Sequence, residues 1–261
     1  MVPQQVYTEK YFEADCGGYE EWIESSGQKL PVRLQAAFDL VPVRRGMKII
    51  DWGCGRGELC YHAAVRGADV LGLDYSKAAI NLTKKLPKPK RGKMKFELVS
   101  NLKIPAPDKS IDRIFFIDVI EHLYPEQVKE VIGEFYRVLK RGGKLILHTA
   151  PNRDYYDKGY RYWTRRAHAL ANPMWRVVFR ETLRSDKNPR FGYDKDVHIN
   201  ECSLSDVVMY LQDAGLKSDV WYDSSFRRVR LRDKLRYAVF QPQIGPMKKW
   251  FSEDIWAVGT K

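Results

Sequence analysis

Asp51-Trp52-Gly53-Cys54-Gly55-Arg56-Gly57-Glu58 sets three glycines at alternate positions, directly after an apolar run and directly before a helical pattern. Glycine lets a backbone approach a ligand closely, and a helix start presents unpaired N–H groups to it. Asp74 closes the next apolar run, 17 residues after Gly57. A carboxylate at that place can accept both hydroxyls of a ribose. The spacing is G-x-G-x-G, whereas a nicotinamide-dinucleotide turn has G-x-G-x-x-G. An acid, Asp51, also stands two residues before the first glycine. With no pyrophosphate to cradle, such a turn suits a nucleoside that carries an amino acid.

The elements that must position these residues alternate along residues 46–150. Met47–Asp51 is a strand, and Glu58–Arg66 is a helix that Gly67 stops. Val70–Leu73 is a second strand, and Ser76 caps a helix over Lys77–Leu86. Phe96–Val99 and Ile111–Ile117 are further strands. Pro125–Leu139 is a helix, and Arg141-Gly142-Gly143 turns into a fifth strand, Lys144–Thr149. Strands alternating with helices imply βαβ units and a buried parallel sheet. Before this core lie two helices, Tyr19–Ser25 and Pro31–Leu40. After Pro151 the alternation breaks, and it resumes with a helix at Ser203–Ala214 and strands at Ser218–Tyr222 and Ile255–Val258, with a basic helix near Phe226–Phe240 between the two. The chain thus divides into an N-terminal helical cap (1–45), a cofactor-binding core (46–151), a basic aromatic insertion (152–197) and the rest of the sheet (198–261).

Asp51–Glu58 resembles the first motif of class I S-adenosyl-L-methionine (SAM)-dependent methyltransferases. Four later stretches agree: Val70-Leu71-Gly72-Leu73-Asp74-Tyr75-Ser76, Ile104-Pro105 with Ser110-Ile111-Asp112, Asp118-Val119-Ile120-Glu121-His122-Leu123, and Leu139-Lys140-Arg141-Gly142-Gly143-Lys144-Leu145. The likeness is greatest to the ubiquinone-biosynthesis-like (type 11) group. It implies a doubly wound, mostly parallel α/β sheet of seven strands with a Rossmann-like arrangement. It also implies that Gly53, Gly55 and Gly57 line the methionine part of SAM, that Asp51 binds its amino group, that Asp74 holds the ribose and that Tyr75 flanks the adenine. Asp118 would face the cofactor. Where the group usually has an Asp contacting the adenine amine, this chain has Ser100, followed by Asn101.

Methyl transfer from a sulfonium is an in-line displacement, so the enzyme mainly aligns a nucleophile with the methyl group. If the nucleophile is an alcohol, a base must take its proton, and histidine is the usual choice. Of the five histidines, His62 suits packing or the surface, His148 suits a satisfied core position or a functional one equally, and His168 lies in the basic insertion, where it could contact an anion. His122 and His198 are the candidates: the first follows the fourth strand, where ligands of doubly wound sheets bind, and the second precedes the sixth helix. Related ubiquinone O-methyltransferases carry an acid-x-x-Glu-His pattern associated with a divalent metal, and Asp118-x-x-Glu121-His122 fits it. In the favoured reading no metal binds; Glu121 and His122 cap the turn.

Charge bears on partners. Eleven Lys/Arg against six acids in 152–197, and eight against one in 226–250, account for the whole net charge of +12. A core neutral on balance with two basic additions points to something anionic: a small-molecule or lipid-linked acceptor, or the surface of an anionic membrane. Nucleic acid is less expected, since no RNA-binding module is present, although an RNA methyltransferase or an inert SAM-binding scaffold stand as alternatives. No apolar run approaches the ~18 residues a membrane span needs. The acidic first thirty residues lack the apolar stretch of a secretory signal. Cys16, Cys54, Cys60 and Cys202 form no C-x-x-C pair. A cytoplasmic chain with reduced thiols, with a peripheral place at the membrane as the alternative, is the expectation.

Overall fold

The computed structural model describes residues 2–190, 194–224 and 230–261. Seven strands form one sheet: β1 (Lys48–Trp52), β2 (Asp69–Asp74), β3 (Lys93–Leu98), β4 (Ile111–Ile117), β5 (Leu139–Thr149), β6 (Lys217–Tyr222) and β7 (Ile255–Thr260). Their spatial order is β3-β2-β1-β4-β5-β7-β6. Strand β7 runs antiparallel to β5 and β6, and the other pairs are parallel. This is the doubly wound, mostly parallel sheet that the sequence predicts. The order reverses between β1 and β4, which opens a crevice beyond their carboxyl ends.

The N-terminal helices are α1 (Tyr19–Ser25) and α2 (Val32–Asp39). The sheet is flanked by α3 (Glu58–Val65), α4 (Lys77–Thr83), α5 (Pro125–Val138) and, further on, α8 (Leu204–Asp213). Between them, a π-helical segment (Tyr155–Thr164) runs into α6 (Arg165–Phe179), followed by the short α7 (Asp194–Val197). Helix α9 (Leu231–Phe240) and the short α10 (Lys248–Phe251) precede β7.

Both faces of the sheet are covered, which is why its central strands are largely apolar. Ile50, Leu73, Ile114, Phe116 and Leu147 pack with Val131, Ile132 and Phe135 of α5 and Val207 and Leu211 of α8. Successive residues point the other way, and Ile49, Val70, Phe115 and Ile146 meet Phe38 of α2 and Leu59, Ala63 and Ala64 of α3. The Ser76 hydroxyl accepts from the Ala79 N–H and so starts α4 as expected.

Several boundaries differ from the sequence reading, three of them at element starts that move by three residues or more. Strand β3 starts at Lys93, not Phe96, because its alternating lysines face solvent on an edge strand. Strand β5 starts at Leu139, ahead of the glycine pair: Ile111 pairs with Leu139 and Arg113 with Lys144, across an irregularity that absorbs the turn. The basic helix begins at Leu231, and Phe226, Arg227, Arg228 and Val229 lie outside the described residues. Among the described residues, no helix is long and apolar enough to cross a membrane.

Candidate active site

The crevice between β1 and β4 holds a cavity of about 390 Å³. Its floor is the glycine turn. The N–H groups of Gly53 and Cys54 both donate to the Leu73 carbonyl, at 2.7 and 3.0 Å, and so pin the turn to the end of β2. Gly53 has φ +79°, and a Cβ there would lie 2.4 Å from Val119 Cγ2. Gly55 differs: at φ +51° its nearest neighbour would be the Phe12 ring, 3.8 Å away. Its missing side chain therefore leaves open the cavity itself.

Asp74, at the end of β2, is buried. Its Oδ2 accepts from the Gly55 N–H at 2.9 Å and its Oδ1 from the Ser76 N–H at 2.8 Å. The Tyr75 N–H also bonds this carboxylate, which with about four acceptor sites keeps room for a ribose hydroxyl. Burial pushes this carboxyl up to about 6, against the pull of those N–H groups. Asp51 is 3% exposed. Burial is the main reason that its carboxyl is pushed up to about 7; the Cys60 thiol donating to Oδ2 opposes this, and Glu58 and Asp74 add to it. Two buried carboxylates facing one cavity suit a cationic ligand. Two such carboxylates beside an open glycine backbone are what the α-ammonium and ribose of SAM, the cofactor that the resemblance implies, would need.

The helical cap closes the cavity from the other side. Arg56, 2% exposed, donates from Nη1 to the carbonyls of Phe12 and Cys16, at 2.7 and 2.8 Å, and from Nη2 to Gly17 at 2.8 Å. Its Nε pairs with Glu58 at 2.8 Å. This one guanidinium ties the cap to the glycine turn, so Tyr7, Tyr11 and Phe12 line the cavity. In the sequence, Arg56 reads as a spacer between glycines, and nothing local marks its role. Tyr75 also lines the cavity, with Tyr7 edge-on to it at 5.2 Å between ring centres. Ser100 and Asn101 do not line it. Val99 does, its N–H donating to the Asp74 carbonyl at 2.9 Å. Beyond Val99 the chain turns outward, and both residues are exposed. Asn101 accepts from the Lys103 N–H at 3.0 Å.

The opposite wall comes from the end of β4. Asp118 has φ +56°. Its Oδ1 bonds His148 Nδ1, and its Oδ2 pairs with Arg33 Nε at 2.8 Å. Burial pushes this carboxyl up, but Arg33 and His148 outweigh it and hold it down at about 2. His148 Nε2 reaches Asp254 Oδ1 at 3.2 Å, so a strand histidine bridges two acids. Asp118 lines the cavity as expected, yet its oxygens are already engaged.

Glu121 and His122 follow in a buried turn. The Thr149 hydroxyl donates to Glu121 Oε2 at 2.8 Å. Burial, with Asp118 nearby, pushes the Glu121 carboxyl up to about 8. His122 Nδ1–H donates to the Val197 carbonyl at 3.1 Å, which directs its Nε2 lone pair elsewhere. Burial first and His198 second hold His122 down at about 3. The N–H groups of Ile199 and Asn200 donate to the Glu121 carbonyl at 3.0 and 3.1 Å, and this seats His198 against the turn. The His122 and His198 rings stand 5.1 Å apart, and burial lowers His198 as well. Ligand atoms of Glu121, His122 and His198 lie within 4.8 Å of one another. A divalent cation would thus take His198 as its third ligand, not Asp118 as the acid-x-x-Glu-His pattern suggests. His62 and His168 instead bond carbonyls, of Gln28 at 2.9 Å and Arg184 at 2.7 Å, which fits packing roles.

Residues 50–147 match the methyltransferase domain family. Over 210 residues the chain is 24% identical to demethylmenaquinone methyltransferase of Tropheryma whipplei, covering 77% of this chain and 80% of that one. Over 104 residues it is 33% identical to sterol 24-C-methyltransferase of Pneumocystis carinii, covering 39% of this chain and 27% of that one. It spans between 27% and 56% of the length of five curated relatives that it matches. Among solved structures, an S-adenosylmethionine-dependent methyltransferase from Mesorhizobium loti shares its fold, with a TM-score of 0.61 at 18% identity over 88% of this chain and 98% of that one. Residues 50–147 thus match a methyltransferase domain, and the chain shares the fold of solved SAM-dependent methyltransferases.

Proposed function

We propose that the chain transfers a methyl group to an oxygen of a small or medium anionic acceptor, such as a sugar, glycan, prenylated or lipid-linked intermediate. The observation that carries this reading is the pairing of two unlike walls. One presents His122 and His198, both held neutral by burial, across the cofactor floor. The other is the basic insertion, which brings Tyr156 and Arg184 to the same cavity. Tyr156 also lines a second cleft of about 380 Å³ with Arg161, Arg165, Lys187 and Arg190. Arg190 is committed to Glu201. Arg161, Arg165 and Lys187 have no acidic partner among the described residues. An acceptor anion on those cations leaves its hydroxyl to reach the histidine wall.

SAM, when bound, supplies a methyl group activated by its sulfonium. The residues of the chain do the rest. Asp51 and Asp74 orient the donor, Arg56 holds the cap that excludes water, and His198 or His122 takes the acceptor's proton. Methyl-labelled SAM offered with small-molecule, lipid and RNA fractions tests the reading. Label is expected in an acceptor retained on an anion exchanger, bound as an ether or ester. Label confined to RNA would transfer the activity there. Tight SAM binding with no transfer to any fraction would leave a scaffold.

A pH effect follows from Asp51. Its carboxyl lies near 7 in the folded chain against an ordinary 3.8. A raised carboxyl favours the fold while protonated, and that contribution disappears as pH climbs through the folded value. In ligand-free protein, Asp51→Asn should therefore melt about 2 °C or more above the parent at about pH 8, and level with it at about pH 4. The same variant should bind SAM more weakly, having lost the charge that meets the ammonium. Equal melting temperatures at both pH values would show that Asp51 is not strained by its burial.

A further inference from the structure

The insertion carries a feature that methyl transfer does not use. Along α6, Leu170, Met174, Val177 and Val178 are 84%, 69%, 81% and 62% exposed. Their spacing of four, three and one puts them on one helix face. The opposite face is buried through His168, Asn172 and Trp175. Along α9, Leu231, Leu235 and Val239 are 71%, 41% and 58% exposed, four residues apart, while Tyr237 and Phe240 are buried. Trp175, Leu183 and Phe240 form a small core that joins the two helices, with Phe240 edge-on to both Trp175 and His168. Two apolar stripes thus stand on a pair of helices packed together. Trp163, 55% exposed, lies in the π-helical segment two residues before α6.

The setting of these stripes is cationic. From Arg165 to Arg180 the chain has four arginines and no acid. Arg166, one turn before Leu170, and Lys234, beside Leu235, are exposed and have no acidic partner among the described residues. Helix α9 has one acid, Asp233, and Glu181 after α6 is taken by Arg232. An exposed apolar stripe flanked by unpaired cations is how a helix seats itself in a headgroup layer. A second copy of this chain fits poorly, because a two-fold contact would set these arginines against themselves.

We propose that the outer faces of α6 and α9 form one docking surface for an anionic lipid bilayer. The same insertion supplies Tyr156 and Arg184 to the active-site cavity. A chain resting on lipid through α6 therefore keeps its acceptor side near the headgroups. The surface is independent of SAM, so its test needs no turnover.

The full chain is sedimented with vesicles of phosphatidylcholine alone, or of phosphatidylcholine mixed with phosphatidylglycerol, at low and high salt. It should pellet with the mixed vesicles, weakly with the neutral ones, and less at high salt. Replacing Leu170→Glu and Val177→Glu together should lower partitioning by ~10-fold or more, with SAM affinity and melting temperature kept, since both side chains are exposed. Arg166→Gln with Lys234→Gln should remove part of the salt-sensitive binding. Failure to pellet with either vesicle overturns the proposal, as does pelleting that the Leu170/Val177 variant retains. Light scattering that shows a dimer which the same variant breaks would overturn it in favour of self-association.

Discussion

Gly55→Val should abolish SAM binding, weakening it by ~100-fold or more, while the chain still folds. A Cβ at Gly55 meets nothing nearer than Phe12 at 3.8 Å, so a valine there projects into the space the ligand needs. Its backbone, at φ +51°, adds strain of about 1–2 kcal/mol. Gly46→Val controls for that strain: φ is +80° there, and nothing lies within 4 Å of the added Cβ. That variant should lose a similar amount of stability and bind SAM as the parent does. Gly53→Val is different again, because its Cβ would stand 2.4 Å from Val119, and it should cost stability before affinity. Asp74→Ala removes the proposed ribose acceptor and also strands the N–H groups of Gly55 and Ser76. Calorimetric titration is the measurement. Undiminished SAM affinity in both Gly55→Val and Asp74→Ala would refute the placement of the cofactor.

The glycine turn and the acid beside it are legible in the sequence because they are local. A strand, a glycine turn, a helix and the acid ending the next strand fall within Lys48–Asp74, and each leaves a mark in residue type and spacing. What holds the floor in place is not local. Arg56 reaches back some forty residues to Phe12, Cys16 and Gly17. His148 meets Asp254 across 106 positions. Arginine, histidine and aspartate are common in any chain, and no periodicity singles out the pair that will meet.

The histidine wall shows the same division. Glu121 and His122 belong to one motif, and Asp118 is the third ligand that this motif offers by sequence. Folding instead gives Asp118 to Arg33 and His148, and brings His198 in from beyond the insertion by two N–H bonds to the Glu121 carbonyl. In the insertion, charge and aromatic content are visible in the sequence. That α6 turns its aliphatic face outward is not, since the same Leu/Met/Val spacing would serve equally to bury a helix against the sheet.

His198→Ala should lower turnover by ~10²-fold or more while SAM affinity stays that of the parent. His198 lines the same cavity as the glycine turn and lies beside His122, so under the proposed function it serves the acceptor and not the donor's ribose. Two chemistries predict this loss, and they part on further measurements. If His198 acts as a base, chelator leaves the parent's turnover intact, added imidazole partly restores His198→Ala, and Glu121→Gln has a modest effect. If Glu121, His122 and His198 hold a divalent cation, their ligand atoms being within 4.8 Å of one another, chelator removes turnover and added metal restores it. In that case Glu121→Gln, His122→Ala and His198→Ala each reduce the metal content of the purified protein, and imidazole rescues none of them. A buried Glu121 carboxyl pushed up to about 8 would then ionise only as the metal binds, releasing a proton that titration calorimetry in buffers of different ionisation heat detects. Turnover of His198→Ala within a factor of a few of the parent would remove this residue from the chemistry under both readings.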